Sequence, residues 1–144
     1  MDMRQITPRF YAAPQISAED MPQIAATGIK LVLCNRPDIE IPPSHHSEVL
    51  AEAASAAGLE FAVHPLTHQT MTPDVIAANG AVMEACDGPV LAYCASGTRS
   101  TIAWALSAAQ DLSADQIIQA ARAGGYDLEN LRDTFEAIRS AKTR

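Results

Sequence analysis

The chain has 144 residues, 48% of them hydrophobic, which is sufficient for a single domain, residues 1–144, around one buried core. The net charge of −7 argues against general nucleic-acid binding, because a nucleic-acid backbone would be repelled. No apolar run is long enough to cross a membrane and the first residues do not resemble a signal peptide, so we expect a cytoplasmic protein with no membrane partner.

The first half of the chain alternates short apolar runs with capped helical segments. Ser17 and Asp20 are typical of a helix start, and Gly28 and Gly58 each follow a helical segment as a stop signal. This part of the sequence predicts strands at residues 10–12, 29–34 and 59–63, and helices at residues 18–27 and 47–57.

The second half continues the alternation. Thr72-Pro73 opens a helix, and Ser113 with Gln116 forms a capping box at the start of another. We expect one strand at residues 89–93 and helices at residues 73–87, 100–111, 113–124 and from 128 into the tail. The whole pattern predicts a three-layer α/β fold, with a mainly parallel sheet of four or five strands flanked by helices.

The loop after the predicted strand at residues 89–93 carries the strongest chemical signal. It runs Cys94-Ala95-Ser96-Gly97-Thr98-Arg99-Ser100 and leads into a helix. A tight turn at a helix N-terminus directs backbone N–H groups and the positive end of the helix dipole at one spot. Gly97 permits a left-handed turn, and Arg99 offers a fork of donors to an oxyanion. The sequence therefore predicts an anion-binding loop.

Cys94 is the predicted nucleophile of this loop. The field of the loop favours the thiolate, which is the reactive form of cysteine, and Ser100 is placed to donate a hydrogen bond to the sulfur. In the alternative interpretation, Cys94 is a buried thiol at the end of a core strand and Arg99 is a surface residue. The combination of strand, cysteine, glycine, arginine and hydroxyl favours catalysis.

Several other side chains are candidates for the same pocket. Arg36 follows a strand end at the same edge of the sheet, where it either helps to bind an anion or pairs with Asp38 or Glu40. His64 either lines the pocket or bonds a loop carbonyl, and His68 can act as a weak acid near neutral pH. We expect no cofactor and no metal, because the histidines and cysteines lack the spacing of zinc ligands.

The other two cysteines are expected to be reduced packing thiols, since the three cysteines form no Cys-x-x-Cys pair. Cys34 ends an apolar strand, and Cys86 lies late in a helix. Cys34 can act as a resolving thiol only if the fold brings it near Cys94.

The run from Tyr93 to Ser100 resembles the active-site loop shared by rhodanese sulfurtransferases and cysteine-dependent phosphatases. Upstream, Gly28-Ile29, Asn35-Arg36-Pro37, Gly58-Leu59 and His64-Pro65-Leu66 resemble dual-specificity phosphatases. Residues 3–132 as a whole are similar to the beta-lactamase-hydrolase-like protein, phosphatase-like domain family. The resemblance implies a protein-tyrosine-phosphatase-like fold, with Cys94 and Arg99 as catalytic residues and Ala95, Ser96, Gly97, Thr98 and Ser100 forming the anion-binding loop.

Two departures from the phosphatase pattern favour sulfur chemistry. Only four residues separate Cys94 from Arg99, one fewer than in phosphatases of this type, and a narrower ring of amides suits a persulfide better than a phosphoryl group. The segment at residues 67–71, where phosphatases carry an aspartic acid, has no carboxylate. Asp74 is close by, but its position predicts a residue in the first turn of a helix.

We therefore expect a rhodanese-type sulfurtransferase with a persulfide intermediate on Cys94. Its partners would be a small anionic sulfur donor and a thiol acceptor. The resemblance adds a persulfide dioxygenase as a partner, because this domain also occurs fused to such enzymes. The alternative enzyme is a cysteine-dependent phosphatase that takes a phosphoester through a phosphocysteine. A further alternative is a non-catalytic anion-binding or interaction domain.

Overall fold

The structure, a computed structural model, describes residues 1–142 and is built on a five-stranded sheet. The strands are β1 (Arg4–Thr7), β2 (Phe10–Ala13), β3 (Leu31–Cys34), β4 (Glu60–Val63) and β5 (Val90–Tyr93). Their order across the sheet is β1-β2-β5-β3-β4. Only β1 runs antiparallel to its neighbour, so β5 lies in the centre of a parallel block.

The helices cover both faces of this sheet. They are α1 (Met21–Ala26), α2 (Ser47–Ala56), α3 (Pro73–Glu84), α4 (Thr98–Ala108), α5 (Ala114–Ala123) and α6 (Arg132–Lys142). Alternate residues of each central strand face opposite cores: Val32 and Leu91 pack with α1 and α2, whereas Leu33 and Ala92 pack with the helices of the other face. The expected three-layer α/β fold is confirmed. No helix within residues 1–142 is long and apolar enough to span a membrane.

Several helix starts follow directly from the sequence. The Thr72 hydroxyl accepts a hydrogen bond from the Val75 amide at the start of α3. At the start of α5, Ser113 and Gln116 form the reciprocal capping box that their spacing predicts. These bonds satisfy amides that have no partner inside the helix.

Several elements differ from the sequence prediction. Strand β1 was not expected, because a four-residue edge strand has too little pattern to be recognised. The segment predicted as one helix at residues 18–27 is a 3-10 turn at Ala18–Asp20 followed by α1. The last helix is likewise preceded by a 3-10 turn, Glu129–Leu131, and residues 143 and 144 of the predicted tail lie outside the described part. Helix α4 begins at Thr98 rather than at residue 100.

Candidate active site

Cys94 lies directly after β5, at the carboxyl end of the central strand. Its amide donates to the Ala13 carbonyl at 3.3 Å, and its neighbour Tyr93 accepts from the Asn35 amide at 2.9 Å. Backbone groups at the ends of the two adjoining strands therefore hold the peptide group that joins Tyr93 to Cys94. The Cys94 side chain is buried, with 1% of its surface exposed. This is the edge of a parallel sheet where α/β proteins place their sites.

The loop after Cys94 turns sharply at Gly97 and then opens α4. Gly97 has a φ of +94°, and its amide donates to Cys94 Sγ at 3.1 Å. The Thr98 amide does not bond the sulfur, because it donates instead to Ser96 Oγ at 3.3 Å. A backbone donor and the N-terminus of α4 thus face the sulfur.

Ser100 does not make the hydrogen bond to the sulfur that the sequence suggested. Helix α4 begins two residues earlier than expected, which places Ser100 inside its first turn. The Ser100 hydroxyl is fully buried and has no hydrogen-bond partner within residues 1–142. The neighbouring Thr101 hydroxyl, by contrast, bonds the Gly97 carbonyl at 2.8 Å.

Arg99 folds back from α4 and is held by a carboxylate that the sequence did not identify as part of the site. Its Nη1 and Nη2 donate to the two carboxylate oxygens of Glu40 at 2.9 and 2.8 Å, and Nη1 also donates to the Leu66 carbonyl at 2.7 Å. Hydrogen bonding to Glu40 raises the pKa of Arg99, and the electrostatic interaction with nearby Cys94 adds to this. The same bonds lower the pKa of Glu40. Both groups are therefore charged at neutral pH.

Arg36 reaches the site through Glu40. Its Nε donates to Glu40 Oε1 at 3.3 Å, and its Nη1 donates to Gln15 Oε1 at 3.2 Å. Of the two acidic partners suggested by the sequence, Arg36 thus pairs with Glu40, whereas Asp38 accepts from the amide and hydroxyl of Ser47 at 2.7 and 3.0 Å. Two arginines and one carboxylate form a charged cluster beside Cys94.

A cleft of about 390 Å³ opens over this cluster. Its walls come from the loop that contains Glu40, from the segment after β4 and from the anion-binding loop; they are Glu40, Thr67, His68, Gln69, Ala95, Ser96, Thr98 and Arg99. His68 is therefore where the sequence suggested. His64 is not in the lining, and its backbone carbonyl accepts from Asn35 Nδ2 at 2.9 Å. Asp74 is exposed in the first turn of α3, as its position predicted.

Tyr126 supports the anion-binding loop from behind. Its hydroxyl donates to the Ser96 carbonyl at 3.0 Å, and a side chain at Gly97 would collide with its ring. Tyr126 is held in turn by Arg4, whose guanidinium lies 5.3 Å from the ring centroid. From the sequence, Tyr126 was noted only as part of residues 3–132, which resemble the family, and nothing there indicated this contact.

A buried pair of asparagines supports the other wall of the cleft. Asn35 Nδ2 donates to Asn79 Oδ1 at 2.8 Å, and the Asn35 carbonyl accepts from the Leu66 amide at 2.8 Å. Since the Leu66 carbonyl binds Arg99, this pair fixes one of the acceptors that orient the guanidinium. Both asparagine side chains are almost fully buried.

Cys34 ends β3, the strand next to β5, and its residue partner there is Tyr93. Its thiol donates to the Arg36 carbonyl at 3.4 Å. Burial raises the pKa of Cys34, and burial likewise raises the pKa of Tyr93. Cys34, Cys86 and Cys94 are all free thiols. A resolving role for Cys34 stays a prediction.

The sequence matches a known family over most of its length. The model of the beta-lactamase hydrolase-like protein, phosphatase-like domain, matches residues 2–111. The chain belongs to this family. A beta-lactamase hydrolase-like protein from Agrobacterium fabrum is 32% identical over 126 residues, which are 86% of this chain. That protein is much longer, and the chain spans only 29% of its length.

Solved structures agree with the family. A candidate phosphatase from Neisseria meningitidis superposes with a TM-score of 0.84 and 32% sequence identity, covering 96% of this chain and 99% of its own. TpbA from P. aeruginosa, crystallised in complex with phosphotyrosine, superposes with a TM-score of 0.68 and 15% identity, covering 99% of this chain and 91% of its own. The likeness to TpbA establishes the fold alone.

Together these findings establish a phosphatase-like domain with a protein-tyrosine-phosphatase-like fold. They fit the phosphatase alternative better than the expected sulfurtransferase. The catalytic roles of Cys94 and Arg99 stay predictions that rest on the geometry of the site.

Proposed function

We propose that the protein is a cysteine-dependent phosphatase that acts on phosphate monoesters through a phosphocysteine at Cys94. One observation carries the proposal: the buried Cys94 sulfur accepts the Gly97 amide at 3.1 Å at the start of α4, and Arg99 lines the cleft above it. Membership of a phosphatase-like family on a phosphatase fold supports the same chemistry.

The reaction would proceed in two displacements. The Cys94 thiolate attacks phosphorus, so that an S–P bond forms while the P–O bond to the leaving group breaks. Water then attacks the phosphocysteine, the S–P bond breaks, and phosphate leaves with the thiolate restored. The Gly97 amide and the dipole of α4 stabilise the thiolate, and Arg99 stabilises the charge on the phosphoryl oxygens.

Within residues 1–142, the site lacks an evident general acid to protonate the leaving group. Glu40 is a carboxylate in the cleft, but its lowered pKa keeps it ionised, so it holds no proton to donate at neutral pH. His68 is the ionisable residue of the lining besides Glu40 and Arg99. A missing general acid lowers the rate by ~10²–10⁴ for alkyl esters, whose alkoxides leave poorly. We therefore expect aryl phosphates, which release a stable phenolate, to be the better substrates.

The test is hydrolysis of p-nitrophenyl phosphate, combined with rapid acid quenching and mass spectrometry of the cysteine peptides. The wild-type protein should turn the ester over and carry a phosphoryl adduct on Cys94. Cys94→Ser should be inactive, and Cys86→Ser, which removes a buried thiol elsewhere, should retain activity. Absence of both turnover and adduct in the wild type would overturn the proposal.

Sulfur transfer is the second candidate, because of two specific observations. The loop between Cys94 and Arg99 is one residue shorter than in phosphatases of this type, and residues 67–71 contain no carboxylate. A thiolate or sulfite leaves without a proton, so this reaction needs no general acid. A small anionic sulfur donor would load Cys94 and a thiol acceptor would unload it, with a persulfide dioxygenase as a proposed partner.

The same mass measurement separates the two candidates. After incubation with thiosulfate, the sulfur-transfer candidate expects one extra sulfur atom on the Cys94 peptide and release of thiocyanate when cyanide is added. A phosphoryl adduct after p-nitrophenyl phosphate, with no sulfur adduct after thiosulfate, selects the phosphatase.

A further inference from the structure

The donors that should bind substrate are already occupied by a residue of the protein. Glu40 presents two oxygens to Nη1 and Nη2 of Arg99 at 2.9 and 2.8 Å. This is the bidentate arrangement in which a guanidinium also binds two oxygens of a phosphate group. The Glu40 side chain is 31% exposed to solvent, whereas the Arg99 side chain is 10% exposed. The carboxylate thus lies on the solvent side of the guanidinium, where a ligand would arrive.

A second arginine, Arg36, is positioned to hold the Glu40 carboxylate if a ligand displaces it from Arg99. Arg36 Nε already lies 3.3 Å from Glu40 Oε1, and Arg36 Nη2 lies 3.5 Å from the Glu40 backbone oxygen. The backbone before Glu40 is anchored by the two bonds from Ser47 to Asp38. A swing of the Glu40 side chain would therefore free Arg99 without moving the loop.

We propose that Glu40 is an internal competitor for the anion site: an incoming oxyanion displaces its carboxylate from Arg99, and Arg36 retains it. This inference deepens the proposed function, on which its choice of substrate rests. Because the ligand must replace a bidentate carboxylate, the exchange favours an anion with more charge and at least two free oxygens. A ligand that binds Arg99 less strongly than Glu40 does, such as a phosphate diester or a carboxylate, would leave Glu40 in place, whereas a phosphate monoester dianion would displace it.

The experiment measures anion binding without catalysis. Cys94→Ser protein is titrated with inorganic phosphate, and in a second series with thiosulfate, by isothermal calorimetry. Glu40→Gln is added to that background to release Arg99, and Glu40→Ala is a second release variant should the first not fold. Asp38→Asn is the matched control, because it removes one charge within two residues of Glu40, keeps an acceptor oxygen for the Ser47 amide, and offers its Nδ2 as a donor to the Ser47 hydroxyl.

Release of Arg99 should tighten phosphate binding by roughly 1.5- to 5-fold, the change expected when one partly exposed ion pair no longer competes with the ligand. Asp38→Asn should change the affinity little. Three results would overturn the inference: unchanged or weaker binding when Glu40 is replaced, equal tightening by Asp38→Asn, or no phosphate binding even in the release variants.

The outcome is independent of the phosphatase assay. If the wild-type protein fails to hydrolyse phosphoesters but Glu40→Gln binds phosphate more tightly, the proposed function fails and the competitor role stands. Tightening in the thiosulfate series alone would overturn the choice of phosphate monoesters as substrates.

Discussion

Gly97→Ala tests whether the turn after Cys94 requires a glycine for its conformation and for the space around it. Gly97 has a φ of +94°, in the left-handed region that costs other residues about 1–2 kcal/mol. An added Cβ would also lie 2.9 Å from Tyr126 Cζ and still closer to its hydroxyl oxygen. Tyr126 would have to move and lose its bond to the Ser96 carbonyl, which contributes about 0.5–1.5 kcal/mol.

The two effects together predict a loss of about 1.5–3.5 kcal/mol in the free energy of unfolding, measured by urea denaturation. Gly58→Ala is the matched control. Gly58 has a φ of +80°, but an added Cβ there would have no neighbour within 4 Å, so only the backbone effect of about 1–2 kcal/mol remains. Alkylation of Cys94 by iodoacetamide should slow in Gly97→Ala alone, because only that variant disturbs the amide bonded to the sulfur.

Equal destabilisation of the two variants would refute the argument from Tyr126. The double variant Gly97→Ala with Tyr126→Phe refines the test. Removal of the hydroxyl relieves the closest contact, so the double variant should lose less stability than the sum of its two single variants.

Three further predictions concern the thiols, the ion pair and the buried amides. In the native protein, iodoacetamide followed by peptide mapping should label Cys94 faster than Cys34, because burial raises the pKa of Cys34, and equal rates would contradict a stabilised thiolate. Glu40 has a lowered pKa in the folded state, so its contribution to stability is present above the ordinary glutamate pKa and is lost as the pH falls through the lowered value. The stability difference between wild type and Glu40→Gln should therefore narrow in acid urea titrations, and a gap that persists or widens there would count against the Arg99 pair. Asn79→Ala should destabilise the protein by about 1–3 kcal/mol through loss of the buried bond to Asn35, whereas Asn130→Ala, at an exposed site, should have no measurable effect in the same denaturation assay.

The fold could be predicted because its signals are local. Apolar runs alternate with helices whose start signals, such as Thr72 and Ser113, depend on residues three positions away, and the structure contains these caps. The edge strand β1 escaped prediction because it depends on pairing with β2 more than on its own sequence. The turn at Gly97 was predicted correctly because the ability to adopt a positive φ depends on the residue type alone, and not on contacts with distant residues.

The missing parts of the site are contacts between distant segments. Glu40 is 59 residues from Arg99, and Tyr126 is 30 residues from Ser96. Nothing in the local sequence of either residue distinguishes it from a solvated side chain. Glu40 was considered only as a partner of Arg36, four positions away, where helical and turn spacing makes a pair easy to foresee. Contacts of this kind become visible only when the sheet has brought the loops to one edge.

The contact of Tyr126 with the anion-binding loop has a consequence for how much of this chain the loop requires. The family match stops at residue 111, yet the hydroxyl that holds Ser96 belongs to Tyr126, and the guanidinium that steadies Tyr126 comes from Arg4 in the first strand. A fragment trimmed to the matched region would keep the nucleophile, its glycine turn and Arg99. It would lose Tyr126 and its hydrogen bond to the Ser96 carbonyl. The conformation of the reactive loop therefore depends on residues near both ends of the described chain.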